Sequence, residues 1–339
     1  MKSTWALLAV CAVAGCGGKT PGEVDVAPDL AAAVDAAGDM VPDGTDAKRD
    51  LDTVDVSPLP DVLDTADETP PADTIDTVDS EAPEAMGGQP EIGSMVLIHA
   101  GNLNMGCNFP NGEYEGMLCQ PNNTPYHPLY IDTFYIGVYE VTVGEYFECV
   151  EAGGCEVPEG PKGPDADVKD CTYGKINSAL LPITCVTWYQ AVDYCIWRGG
   201  RLCTEAEWEK AARGCCDGRY FPWGNELPTV EHAVLMASGA DPEGKNMPYS
   251  VGSRPSGASP YGIQDMAGNV SEFVSDWFSF DYYTISPFDN PKGPENGEKK
   301  VQRGSFGGDI IPEASTTFRR SQGTPTYSWP GTGFRCCAD

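Results

Sequence analysis

The side chains of this chain best suited to chemistry are its cysteines. Fourteen are present, against three histidines (His99, His127, His232), and twelve of the cysteines fall in residues 93–339. A cysteine acts as a nucleophile or soft-metal ligand only as an accessible thiolate. In an exported chain an even set of cysteines instead closes as disulfides, here up to six. No Cys-x2-Cys spacing occurs, and the histidines are separated by 28 and 105 residues. The spacing therefore offers no zinc-type site. The only adjacent pairs, Cys215-Cys216 and Cys336-Cys337, are poorly placed to hold one metal between them. Proximity pairs Cys107 with Cys119, Cys149 with Cys155 and Cys171 with Cys185, and each such closure is worth about 2–4 kcal/mol.

Disulfides imply export, and the N-terminus is consistent with it. Lys2 precedes an apolar run over residues 5–13 that is too short to span a bilayer, and Val13-Ala-Gly-Cys16 resembles a bacterial lipobox. Residues 1–15 are predicted to be a lipoprotein signal peptide, with Cys16 lipidated and anchoring the chain to the membrane. Gly17, rather than Asp, follows that cysteine and points to the outer membrane of a bacterial envelope, on its periplasmic or surface face. Residues 17–92 carry twenty Asp/Glu against three Lys/Arg, over half of the net charge of −30. With almost no aromatics, residues 16–92 cannot offset their ordering entropy and are predicted to be a disordered acidic tether. A coil of that length reaches about 50 Å. The charge excludes nucleic acid, whose phosphates it would repel. The expected partners are an unidentified ligand or an envelope protein.

Residues 93–339 are long enough for one large core. Residues 95–99 read as a strand, 102–106 as a turn and 134–141 as a second strand-like run. Three capping boxes open three helices. Thr142-Val-Gly-Glu145 starts one through about 152, Thr187-Trp-Tyr-Gln190 one ending near 199–200, and Thr204-Glu-Ala-Glu207 one ending at 214. The remainder is Gly- and Pro-rich. Two aromatic clusters stand out, at residues 276–283 and at Tyr327-Ser-Trp329. Trp277 is expected in the core, and Tyr327 and Trp329 on a loop.

Seven blocks, in order, carry a resemblance. They are residues 95–106, 134–142 (Phe-Tyr-Ile-Gly-Val-Tyr-Glu-Val-Thr), 186–195, 200–214 (Gly-Arg-Leu-Cys-Thr-Glu-Ala-Glu-Trp-Glu-Lys-Ala-Ala-Arg-Gly), 221–226 (Phe-Pro-Trp-Gly-Asn-Glu), 261–272 (Tyr-Gly-Ile-Gln-Asp-Met-Ala-Gly-Asn-Val-Ser-Glu) and 333–336 (Gly-Phe-Arg-Cys). Together they resemble the formylglycine-generating enzyme, or sulfatase-modifying factor, family. The resemblance implies an α+β fold, an irregular, disulfide-rich C-type lectin-like single domain with little regular secondary structure. It also implies a Cys195–Cys336 bridge. The partners of Cys203, Cys215, Cys216 and Cys337 stay open. The family's other core bridge has lost both ends, at Ala212 and near Thr317.

Catalysis in that family uses two thiols just beyond an Arg-Gly-Ser block, which bind copper(I) and activate oxygen. Thiolates suit Cu(I). Here Arg303-Gly-Ser-Phe306 is followed by residues 307–320 without a cysteine. Gly308 stands near the first thiol's place, and Glu313 or Ala314 near the second's. Ser305 matches the family's active-site serine, while Ser271 stands where the family has a pocket tryptophan. Copper is therefore not expected. The reading is a non-catalytic domain binding a sugar or peptide, with Ser271, Ser305, Gly308, Tyr327 and Trp329 as ligand-binding candidates. The alternative is a copper-dependent formylglycine-generating oxidase acting on a sulfatase cysteine through relocated ligands. Iron-dependent sulfoxide synthases of similar fold need a clustered histidine triad that this chain lacks. The resemblance also implies a calcium site formed by the Asp265 and Glu272 side chains with the Gly268 and Val270 carbonyls, a hard oxygen set around a glycine-permitted tight loop. The family's second calcium site is degraded, with Val234 in place of an Asn and Glu243 as its one acid.

Overall fold

The computed structural model describes residues 91–339 apart from 116, 161–169, 216, 236–247, 307–315 and 317–318. The expected signal peptide, Cys16 and nearly all of the tether, with Gly308, Glu313, Ala314, Glu243 and Cys216, lie outside the described residues. Among those described, no helix is long and apolar enough to cross a membrane.

In chain order the strands and helices are β1 (Met95–Ile98), β2 (Gly101–Met105), β3 (Glu113–Tyr114), β4 (Met117–Leu118), β5 (His127–Ile131), β6 (Phe134–Gly137), α1 (Val143–Glu151), α2 (Trp188–Trp197), β7 (Arg201–Leu202), α3 (Glu205–Arg213), β8 (Ser271–Trp277), β9 (Lys300–Arg303), β10 (Arg319–Gly323), β11 (Thr332–Phe334) and β12 (Cys336–Ala338). They make two four-stranded sheets, β1-β6-β12-β7 and β10-β9-β8-β11, and two small ribbons, β2-β5 and β3-β4. Both larger sheets need the C-terminus. β12 sits between β6 and β7, and β11 runs parallel to β8 with Thr332 opposite Ser271.

Each of the three helices opens on a complete capping box. Thr142, Thr187 and Thr204 accept from the amides of Glu145, Gln190 and Glu207, whose side chains bond back to the cap amides. α3 ends at Gly214, whose φ of 78° lies in the left-handed region that favours glycine. The expected turn at 102–106 is instead the strand β2. Its Leu103 and Met105 are buried while Asn102 and Asn104 are exposed, so period-2 burial overrides the turn preference of asparagine.

α3 carries the charged groups that tie the neighbouring strands together. Only four of its nine residues are apolar (Ala206, Trp208, Ala211, Ala212), yet all nine are buried. Burial of its charges is compensated pairwise. Arg303 of β9 donates to Glu205 at 2.9 Å and to Glu209 at 2.8 Å, and Arg213 donates to Glu209 at 2.8 Å. Lys210 donates to the carbonyls of His99, Gly101 and Ile131.

Five bridges staple the domain: Cys107–Cys119, Cys149–Cys155, Cys171–Cys185, Cys195–Cys336 and Cys203–Cys337. Cys215 is also disulfide-bonded, to a residue outside those described. The last two bridges are interleaved in sequence, since adjacent residues of β12 hold α2 and Cys203, the residue before the α3 cap. Once one of them closes the long loop, the other adds a ring of only about ten residues. Removing either bridge as an alanine pair is therefore expected to cost about 2–3 kcal/mol. Removing both is expected to cost about 7–8 kcal/mol, more than the sum of the singles. Guanidinium unfolding of the three variants checks this, and strict additivity would contradict it.

Candidate functional site

The loop between residues 263 and 271 is the most constrained stretch of the domain. Asp265, Gly268 and Asn269 all have positive φ (59°, 83° and 61°). At Gly268 a Cβ would lie 2.6 Å from the Val234 carbonyl, so only glycine fits. The Asn269 amide N–H donates to that same carbonyl at 3.1 Å. The loop thus folds onto the backbone of residue 234.

Three carboxylates converge on this loop. Glu272, at the start of β8, is fully buried and accepts from Arg335 Nε and Nη2 at 2.7 Å each and from Trp208 Nε1 at 2.9 Å. Glu140 is fully buried and accepts from Asn269 Nδ2 at 2.6 Å and the Val270 amide at 3.2 Å. Asp265 accepts from the Gly252 amide at 2.6 Å. Arg335 also donates to the carbonyls of Gly137, Val138 and Gln264.

The charges do not balance. Burial, reinforced by Asp265 and Glu272, pushes Glu140 well above the usual carboxylate range. Burial likewise pushes Asp265 up to about 6, against the Gly252 hydrogen bond and the Arg335 charge that favour its ionised form. Glu140, Asp265 and Glu272 face Arg335, with Arg254 also acting on Asp265, in a pocket rich in oxygen donors, the chemistry that suits a hard divalent cation. Among the described residues no three His, Cys, Asp or Glu side chains are grouped to hold a metal by themselves. A cation here would need backbone carbonyls, and Glu272 has only Oε1, with its single donor, left to reach it.

The ligand candidates divide. Ser305 is fully buried, and its Oγ accepts from the Gly268 amide at 2.9 Å, tying the end of β9 to the acidic loop. Ser271 is also buried, and its amide donates to the Gly331 carbonyl. Neither serine opens to solvent. Tyr327 and Trp329 are partly exposed and stack on each other with centroids 6.2 Å apart and planes 9° apart. Trp277, expected in the core, is only partly buried, and its ring sits 3.7 Å from Lys300 Nζ. The histidines occupy three separate settings: His127 lies against Tyr283, His232 stacks on Trp223 and His99 is exposed.

Known proteins share this arrangement of elements. The sulfatase-modifying factor enzyme 1-like domain matches residues 81–339. The chain belongs to that family. It is 31% identical to the formylglycine-generating enzyme of Mus musculus over 72% of this chain and 75% of that protein. It is also 31% identical to the serine/threonine-protein kinase pkn1 of Chlamydia caviae over 76% of this chain, though only 40% of that protein. Among solved structures, PvdO from Pseudomonas aeruginosa superposes with a TM-score of 0.61 at 28% identity, covering 72% of this chain and 93% of that one. The fold is thus the family's irregular mixed helix and strand arrangement.

Glu140, Asn269, Trp208 and Arg335 hold the site together, yet sequence reasoning did not single them out. The signal for two of them was present as a charge inside an apolar run, Tyr139-Glu-Val141 and Phe334-Arg-Cys336.

An aspartate whose folded pKa exceeds its unfolded value binds more protons when native. The stability it contributes is full below about pH 4 and is lost as pH rises through about 6. In chelator, Asp265→Asn is expected to gain about 2 kcal/mol relative to the parent between pH 4.5 and 7.5. Urea unfolding at the two pH values measures this, and a pH-independent difference would contradict it.

Proposed function

We propose that this is a non-catalytic, ligand-binding member of the family, held on the bacterial envelope by lipid at Cys16, with the outer membrane as its expected site. The observation that carries this reading is the state of the thiols. Copper(I) chemistry needs two accessible thiolates. Residues 307–320 contain no cysteine. The adjacent cysteines that could substitute are engaged elsewhere: Cys336 is bonded to Cys195, Cys337 to Cys203, and Cys215 is disulfide-bonded. Ser305, the match to the family's active-site serine, is spent inside the fold on the Gly268 amide.

In this reading Asp265, Glu272 and the Gly268 and Val270 carbonyls hold a structural calcium, which offsets the excess negative charge shared with Glu140. Its ligand is a sugar or peptide, and Tyr327 and Trp329 offer an aromatic surface suited to either. Calcium is checked in the same unfolding series: at pH 7.5 millimolar Ca2+ should stabilise the parent and leave Asp265→Ala unchanged.

The alternative reading is a copper-dependent formylglycine-generating oxidase acting on a sulfatase cysteine. The decisive assay incubates the chain with a sulfatase-type cysteine peptide, Cu(I) and oxygen, and captures aldehyde with a hydrazide. No aldehyde above the protein-free control is expected. Repeated turnover would overturn the non-catalytic reading.

A further inference from the structure

A cavity of about 730 Å3 opens between α2, β7, the start of α3 and the β5–β6 turn. It lies within the size range of small-molecule sites, and it is separate from the acidic loop and from Ser271 and Ser305, none of which lines it.

Its planar polar groups are each held in place, and its carboxylates (Asp132, Glu207, Asp339) outnumber its cations (Arg201, Lys292). Asp132 and Asn290 bond reciprocally, with Asn290 Nδ2 donating to Asp132 Oδ2 at 2.9 Å and the Asp132 amide donating to Asn290 Oδ1 at 2.8 Å. Arg201 holds Glu207 through two parallel bonds of 2.7 and 2.8 Å and reaches Asp339 at 2.6 Å. Lys292, at the rim, lies in the field of Asp339 and lowers its pKa. An anionic ligand would therefore meet like charge. Carboxylates, amides and a guanidinium fixed in this way still present lone pairs and N–H groups to hydroxyls, with little ordering left to do on binding.

The wall also carries a fixed aromatic ring. Trp188 Nε1 donates to the Val274 carbonyl at 2.8 Å, and its ring lies 3.8 Å from the buried ammonium of Lys300, which Trp277 flanks at 3.7 Å on its own ring. Leu202, Val192 and Ile131 supply apolar lining. A clamped indole beside rigid planar polar groups suits a ligand with apolar C–H faces and a rim of hydroxyls. We propose that this cavity is a binding site for a neutral saccharide of two to three residues.

The test uses the full chain and five probes: chitotriose, cellotriose and maltotriose, with trigalacturonic acid and trilysine as charged controls. Calorimetry and tryptophan fluorescence are expected to show at least one neutral trisaccharide binding with a Kd below about 1 mM. Trp188→Ala is expected to abolish that binding. Because Trp188 is also packed inside, Ile196→Arg is the second variant. Ile196 is 62% exposed and lines the cavity, so arginine there blocks the opening without disturbing the core. It should weaken binding at least tenfold, about 1.4 kcal/mol, at an unchanged unfolding midpoint. The proposal is overturned if no neutral trisaccharide binds, if Ile196→Arg binds as tightly as the parent, or if either charged probe binds more tightly than every neutral one. Any of these results removes the cavity as a saccharide site and leaves the question of catalysis to the aldehyde assay, whose outcome does not depend on it.

Discussion

The buried Glu272–Arg335 pair is the interaction on which the arrangement depends. Glu272 is the second residue of β8, and Arg335 lies between β11 and β12. Their two bonds of 2.7 Å join the sheets that the C-terminus completes. Trp208 adds α3 to the same carboxylate, and the remaining Arg335 donors hold the carbonyls of Gly137, Val138 and Gln264. Neither partner tolerates loss of the other, because an unpaired buried charge costs about 3–5 kcal/mol. The irregular loops of the domain can be long because this pair and the interleaved bridges at Cys336 and Cys337 fix both sheets at one point.

That frame explains how the family's fold persists although residues 307–320 contain no cysteine. The elements that position the site are all present: three capped helices, the acidic loop around Gly268, and the Arg303 network with Glu205 and Glu209. Residues 307–320 carry no cysteine, and the described cysteines are all disulfide-bonded. Ser305 accepts a hydrogen bond from the Gly268 amide of the acidic loop. Stability and reactivity are separable here because different residues on the same scaffold carry them.

Much of the fold was legible in the sequence because its signals are local. Each capping box spans four residues, and Cys107, Cys149 and Cys171 find their partners within 14 residues of chain. The Cys195–Cys336 bridge, 141 residues apart, was legible only through resemblance. β2 was misread because Asn102 and Asn104 carry turn preference that paired burial of Leu103 and Met105 overrides. The site was legible only in outline. Asp265 and Glu272 stood out through the resemblance, but Glu140 and Arg335 reach them from 125 residues upstream and 63 downstream, and no local pattern announces that. The cavity draws on five separated stretches, from Ile131 to Asp339, and nothing in any one of them marks it.

The central claim is that this scaffold holds no reactive thiol pair. A titration of the native, unreduced chain with a thiol reagent, with and without stoichiometric Cu(I), tests it most directly. The account predicts no reactive thiol among the cysteines of residues 93–339 and no copper uptake. Two titratable thiols that become protected when Cu(I) is added would contradict it.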